Sequence, residues 1–117
     1  MKNYKDLPRS TIEITLQLLD SKWKVLIIKE LLKGTMRFGE LKKSVNGITQ
    51  KVLAAKLREL ENDEIIIRKA YEQNPPKVEY SLTDVGYSLR VVVNSLSEWG
   101  KDYKKYVKLL EKYNGKV

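Results

Sequence analysis

Cysteine and histidine are both missing from the 117 residues. Without cysteine there is no disulfide, no thiolate nucleophile and no zinc–cysteine cluster. Without histidine the Ser-His and Cys-His nucleophile pairs disappear, and with them imidazole-ligated metals. Asp, Glu, Lys and Tyr remain, but no pair stands at a recognisable catalytic spacing. The expectation is therefore a protein that is not an enzyme and carries no cofactor or metal. Apolar runs long enough to cross a membrane are also lacking. The opening stretch MKNYKDLPRS has no apolar centre of a secretory signal, so a cytoplasmic location is expected. No internal repeat or low-complexity segment is found. The three prolines fall at Pro8 and at Pro75-Pro76, outside the periodic segments.

What the chain does have is positive charge. Twenty-three basic against fifteen acidic residues give a formal net charge of +8. A balance this basic suits a polyanionic partner. At 42% hydrophobic residues the chain is long enough for one domain with its own core.

Residues 1–9 are polar and read as a loosely ordered arm. From Ser10 to Leu19, Ile12, Ile14, Leu16 and Leu18 alternate as in a strand. The S-x-x-E spacing of Ser10 and Glu13 is instead a helix-capping pattern, and Ile12, Leu16 and Leu19 form a helical stripe. Helix is preferred for 10–20, which leaves Ile14 and Leu18 on a second apolar face in need of a partner. Ser21 caps a helix from Lys22 to Lys33 that ends at Gly34. Its apolar residues (Trp23, Val25, Leu26, Ile27, Ile28, Leu31, Leu32) cover most of its circumference and place it at the centre of the fold. Thr35 and Met36 read as a short extended link.

Arg37 to Asn62 reads as two helices joined by an Asn46-Gly47 turn. Phe38, Leu41 and Val45 are the apolar positions of the first. Thr49 caps the second, whose Leu53, Leu57 and Leu60 recur at i, i+4 and i+7. The face opposite Leu53 carries Lys51, Ala54, Ala55 and Arg58, with Gln50 on its flank. Small residues bordered by cations and an amide leave room for a helix to enter a DNA major groove. Two strands follow, Ile65–Tyr71 and Val78–Leu82, joined by the turn-rich loop 72–77. A helical hairpin followed by a β-hairpin is the order of a winged helix, with 72–77 as the wing.

Thr83-Asp84 caps the last helical region. Val85, Leu89, Val92, Leu96, Trp99, Tyr103, Tyr106 and Leu110 are spaced alternately by four and three, a heptad-like seam. A continuous helix over 84–112 would be roughly 44 Å long, whereas a compact domain of this size has a radius of gyration of about 13 Å. Such a seam cannot be buried wholly on its own core. Either the helix breaks, with Gly100 the obvious place, or the seam packs on another chain, or both.

Several segments stand in one order: Lys22-Trp23-Lys24, Arg37-Phe38-Gly39-Glu40-Leu41, Gly47-Ile48-Thr49-Gln50-Lys51-Val52-Leu53, Leu57-Arg58-Glu59-Leu60, Pro75-Pro76-Lys77-Val78-Glu79-Tyr80-Ser81-Leu82-Thr83, Gly86 and Trp99-Gly100. Together they resemble the HxlR-type winged helix-turn-helix transcription regulators, distantly similar to the MarR group. The likeness covers roughly residues 10–100. It implies a mainly α fold with a small β-hairpin, a homodimer formed by the terminal helices, and an operator in double-stranded DNA. It also implies that Thr49 to Arg58 face the major groove and that 72–77 reach the adjacent minor groove. The sequence departs from the family at two places. Ser10 stands about where many members carry a cysteine, so thiol sensing is not expected, and Ser21 replaces the glycine before the Lys-Trp pair.

The expected DNA contacts are Arg37, Lys43, Thr49, Gln50, Lys51, Ala54, Ala55, Arg58, Asn74 and Lys77, with Lys42, Arg68 and Lys69 as further phosphate partners. Gln50, Lys51 and Arg58 are the candidates for base edges, Gln for adenine and Lys or Arg for guanine. Arg58 has an alternative in pairing with Glu61 or Asn62 on its own helix. The expected dimer interface is Ile14, Leu18, Leu89, Val92, Leu96, Trp99 and Tyr103. A nucleoid-associated regulator with room for an unidentified small-molecule effector is the leading reading. The alternative is a winged-helix module used for protein contacts without DNA.

Overall fold

In a computed structural model that describes residues 3–115, the chain forms six α-helices and three short strands. A single 3-10 turn at Tyr4–Asp6 lies within the expected arm. Helix α1 (Thr11–Leu18) begins where Ser10 Oγ accepts the amide of Glu13 at 3.4 Å, and α2 (Lys22–Leu31) begins where Ser21 Oγ accepts the amide of Trp23 at 3.1 Å. Strand β1 (Met36–Arg37) leads into α3 (Phe38–Ser44). There the Glu40 carboxylate accepts the Arg37 amide at 2.8 Å. Helix α4 (Gln50–Asn62), strands β2 (Ile66–Tyr71) and β3 (Lys77–Leu82), and helices α5 (Asp84–Ser88) and α6 (Arg90–Tyr113) complete the order.

The sheet is antiparallel with order β1-β3-β2, so the expected hairpin gains a third strand. Met36 and Arg68 both stand opposite Tyr80, and Ile66 stands opposite Leu82. Ile66, Tyr80 and Leu82 are buried on the face that meets the helices, and Met36 and Val78 pack at its border. The expected link at Met36 is thus a strand. Two residues are too few to show a period, and only the pairing with β3 defines them.

Helix α2 is central, as its sequence predicts. Ile27, Ile28 and Leu31 are fully buried and cluster with Leu41 of α3 and its C-cap Val45, with Leu53, Leu57 and Leu60 of α4, and with the sheet. Each such aliphatic side chain contributes about 1.5–3 kcal/mol relative to remaining in water. The three leucines of α4 therefore determine which side of that helix faces outward.

Helix α6 is unbroken through Gly100, and the interruption falls at Leu89 instead. Leu89 is buried in the core, with Val93 beside it and Val92 half-buried. Burial of these residues holds the start of α6 against the core. Gly100 has only open space around it, so the helix runs past it. Leu89 of the expected interface thus belongs to the chain's own core, while Leu96, Trp99 and Tyr103 stand exposed. The two apolar faces of α1 are covered unequally within the chain. Ile14 and Leu18 are half-buried and line a crevice with Leu7 and Val85, whereas Ile12 and Leu16 are 71% and 61% exposed. The reason is local: Leu19 is already the C-cap, outside helical geometry, and reaches the core without continuing the phase of Ile12 and Leu16. With α6 projecting, the radius of gyration is 17.5 Å and the longest extent 61 Å.

Candidate nucleic-acid interface

Helices α3 and α4 meet at Gly47, whose φ of +85° is a backbone state that glycine adopts without steric cost. Val45 and Ile48 on either side of the turn are buried, which fixes the approach of α4. Thr49 then caps α4, its Oγ1 accepting the amide of Val52 at 3.2 Å. With Leu53, Leu57 and Leu60 turned into the core, Thr49, Gln50, Lys51 and Arg58 are exposed, and Ala54 and Ala55 lie half-buried between them. Among the described residues, Arg58 has no carboxylate within ion-pair distance. The alternative pairing with Glu61 is not made, and the guanidinium stays available to a ligand. Lys42 and Lys43 are exposed on the last turn of α3, where the helix dipole favours cations.

The wing is built differently from its base to its tip. Residues 72–76, Asn74 among them, are exposed. Lys77 is half-buried at the first position of β3. Its Nζ lies 4.8 Å from the centre of the Tyr71 ring and 3.4 Å from a Glu79 carboxylate oxygen. Lys69 Nζ also lies over the same ring, at 5.0 Å. Glu79 stands opposite both Arg37 and Lys69 in the sheet. A hydrogen bond from Tyr71, with the charges of Lys77 and Arg37, holds its carboxyl below the ordinary value. Arg37 and Lys77 are therefore brought around one carboxylate where the wing leaves the sheet, while Asn74 stands apart at the tip.

Beneath α4 is an arrangement that sequence reasoning missed. Lys24 of α2 is buried, and its Nζ lies 2.8 Å from Asp20 Oδ1 and 2.9 Å from Glu59 Oε1. Lys56 reaches the other Glu59 oxygen at 3.5 Å. Burial pushes the Lys24 ammonium down, but hydrogen bonds to Asp20 and Glu59 outweigh it and hold its pKa above the ordinary value. The bond from Lys24 in turn lowers both carboxyls. A signal for this was present. Lys24 occupies the i position of the stripe it shares with Ile27, Ile28 and Leu31, so a charge had to be taken into the core.

Residues 18–108 match the model of the HxlR-like helix-turn-helix family. The chain belongs to the HxlR-like helix-turn-helix family. It is 42% identical over 106 residues to the HTH-type transcriptional regulator YdeP of Bacillus subtilis, covering 91% of this chain and 83% of that protein. Among solved structures it is similar to the redox regulator HypR in its reduced form. There the TM-score is 0.79 and the identity 40%, over 85% of this chain and 98% of that one. It is likewise similar to the reduced form of the transcriptional regulator YodB from B. subtilis. In that case the TM-score is 0.70 and the identity 35%, over 88% and 96% of the two chains. The HxlR-like protein described here is thus a winged-helix transcriptional regulator, from a family of regulators rather than enzymes. Among the described residues no helix is long and apolar enough to cross a membrane.

Proposed function

We propose that this regulator is a homodimer that reads an inverted-repeat operator, with α4 in the major groove and the wing near the adjacent minor groove. The observation that carries the reading is the outer face of α4. Gln50, Lys51 and Arg58 project there without side-chain partners among the described residues, around the small Ala54 and Ala55. The rotation of the helix is fixed by its three buried leucines. A face of that kind admits the edges of bases. Arg37, Lys42, Lys43, Lys69 and Lys77 supply phosphate contacts, and Asn74 lies on the wing. The dimer is supported by the exposed apolar face of α6. Leu96, Trp99 and Tyr103 lie on it, and the Trp99 and Tyr103 rings stack 5.2 Å apart. Ile12 and Leu16 of α1 add to the uncovered apolar surface. Unlike a thiol-based sensor, the 117-residue chain has no cysteine, so its signal is chemically distinct from thiol oxidation. A cytoplasmic, nucleoid-associated location follows from this function.

Gel shifts on fragmented source genomic DNA, followed by footprinting, test the reading. Two protected half-sites about 34–36 Å apart on one DNA face are expected. Log affinity is expected to fall with log salt at a slope near −0.9 per phosphate contacted. Trp99→Asp puts a charge on the apolar face and is expected to halve the sedimenting mass. Binding no stronger than to random DNA would instead support a protein-contact module, and a single protected half-site would overturn the dimeric reading.

A further inference from the structure

Neither local preference nor packing accounts for Lys24. It lies in the first turn of α2, where the helix dipole disfavours a cation, and its side chain is only 3% exposed. An apolar residue would fill the same place on the Ile27–Ile28–Leu31 stripe with less desolvation, and such replacements of buried ion pairs are often neutral or stabilising. The charge is better explained by what it joins. Asp20 lies one residue past the C-cap of α1, in the short connection to α2. Glu59 lies on α4, next to Arg58. The two carboxylates reach water, at 55% and 43% exposed, so either can leave the ammonium, while the ammonium itself has nowhere to go. Glu59 is also shared with Lys56 on its own helix, one carboxylate oxygen meeting each cation.

We propose that Lys24 is a positioning residue that couples α1 to the DNA-reading helix, with Asp20 as its sensor arm and Glu59 as its output. When α1 shifts, Asp20 moves with it. The buried ammonium then has Glu59 as its one remaining anion and draws it away from Lys56. Arg58, the next residue back along α4, is displaced with it. Events at α1, such as dimer rearrangement or a ligand in the crevice lined by Ile14 and Leu18, thereby reach the operator-reading face through one side chain. The inference rests on α4 being the helix that reads DNA.

The test is a cycle of Asp20→Asn and Lys24→Met, singly and together, on the full-length protein. Three quantities are measured: affinity for the operator, affinity for random-sequence DNA, and amide exchange across Gln50–Asn62. Asp20→Asn is expected to weaken operator binding about fivefold or more, with random-DNA affinity and its salt slope unchanged. In the Lys24→Met background the same change is expected to have no effect on operator affinity. A merely structural role would lower both affinities together. An equal effect of Asp20→Asn in both backgrounds, or none in either, overturns the coupling. If Lys24→Met does not fold, Lys24→Gln replaces it in the cycle. Absence of operator preference in the wild type would remove the DNA reading alone. The exchange data still decide the coupling in that case: Asp20→Asn is expected to speed exchange of α4 when Lys24 is present and to leave it unchanged in the Lys24→Met background.

Discussion

Gly86 lies against the carbonyl oxygen of Ile65, so close that no side-chain carbon fits between them. The same oxygen accepts the Thr83 amide at 3.0 Å, the Thr83 hydroxyl donates to the neighbouring Glu64 carbonyl at 2.7 Å, and Thr83 Oγ1 in turn accepts the Gly86 amide at 3.0 Å. The first turn of α5 is therefore fastened to the exit of α4 through backbone. A methyl group at Gly86 would have to push out the Ile65 carbonyl and would crowd Leu82 as well. Gly86→Ala is expected to destabilise the fold by about 1–3 kcal/mol, the usual cost of overpacking, read as a lower midpoint in urea.

The exit of α4 contains a residue in an unfavourable backbone state. Glu64 has φ +58°, while Ile65 N donates to Leu60 O at 2.9 Å and Glu64 N to Glu61 O at 3.0 Å. This is the Schellman ending, whose left-handed position normally takes glycine. Glu64→Gly removes a left-handed strain of about 1–2 kcal/mol and gives part of it back in chain entropy. A rise in melting temperature is expected, and a fall would show that the Glu64 side chain makes an offsetting contribution.

The ion pairs of Lys24 give stability a particular pH range. Hydrogen bonding to Lys24 holds the carboxyls of Asp20 and Glu59 below their ordinary values of 3.8 and 4.5, so their contribution is present above those values and lost as pH falls through the lowered ones. The Lys24 pKa is raised above 10.5, so its contribution is present below that value and lost as pH rises through the raised one. Denaturation of wild type and Lys24→Met between pH 2 and 12 is expected to show a stability difference that is flat from about pH 5 to 10 and changes at both ends. A difference independent of pH would mean that packing alone distinguishes the two proteins.

Arg58 and Lys43 test the proposed division between base reading and phosphate binding. Arg58→Ala is expected to cost about 1–3 kcal/mol at the operator and to relax preference at one position of each half-site. Lys43→Ala is expected to weaken operator and random DNA alike and to reduce the salt slope by about one per protomer. Both changes are on exposed side chains, so the melting temperature serves as the control.

What was legible in the sequence was local. Ser10, Ser21, Thr49 and Thr83 accept the helix amides expected of them, because a cap depends on residues two or three positions away. The α4 face was legible because Leu53, Leu57 and Leu60 set its phase. Features determined by distant partners were not. Strand β1 exists through Tyr80 and Glu79, more than forty positions on. The break at Leu89 depends on burial against the core, whereas Gly100 signals flexibility that the helix does not use. Lys24 carried a visible anomaly, but its partner Glu59 could be found only in three dimensions.

Trp23 and Trp99 are the two tryptophans of the chain. Trp23 is half-buried with its ring edge facing the turn at Gly47, and Trp99 is 68% exposed midway along α6. The protein thus contains two native fluorophores, one beside the helix-turn-helix corner and one on the exposed face of α6. Emission from the exposed Trp99 is expected to lie to the red and to shift blue if the proposed dimer covers α6, while Trp23 is placed to report on the corner that precedes α4. With Trp23→Phe and Trp99→Phe to separate the signals, assembly and DNA engagement become two optical channels in a chain that has no thiol to label.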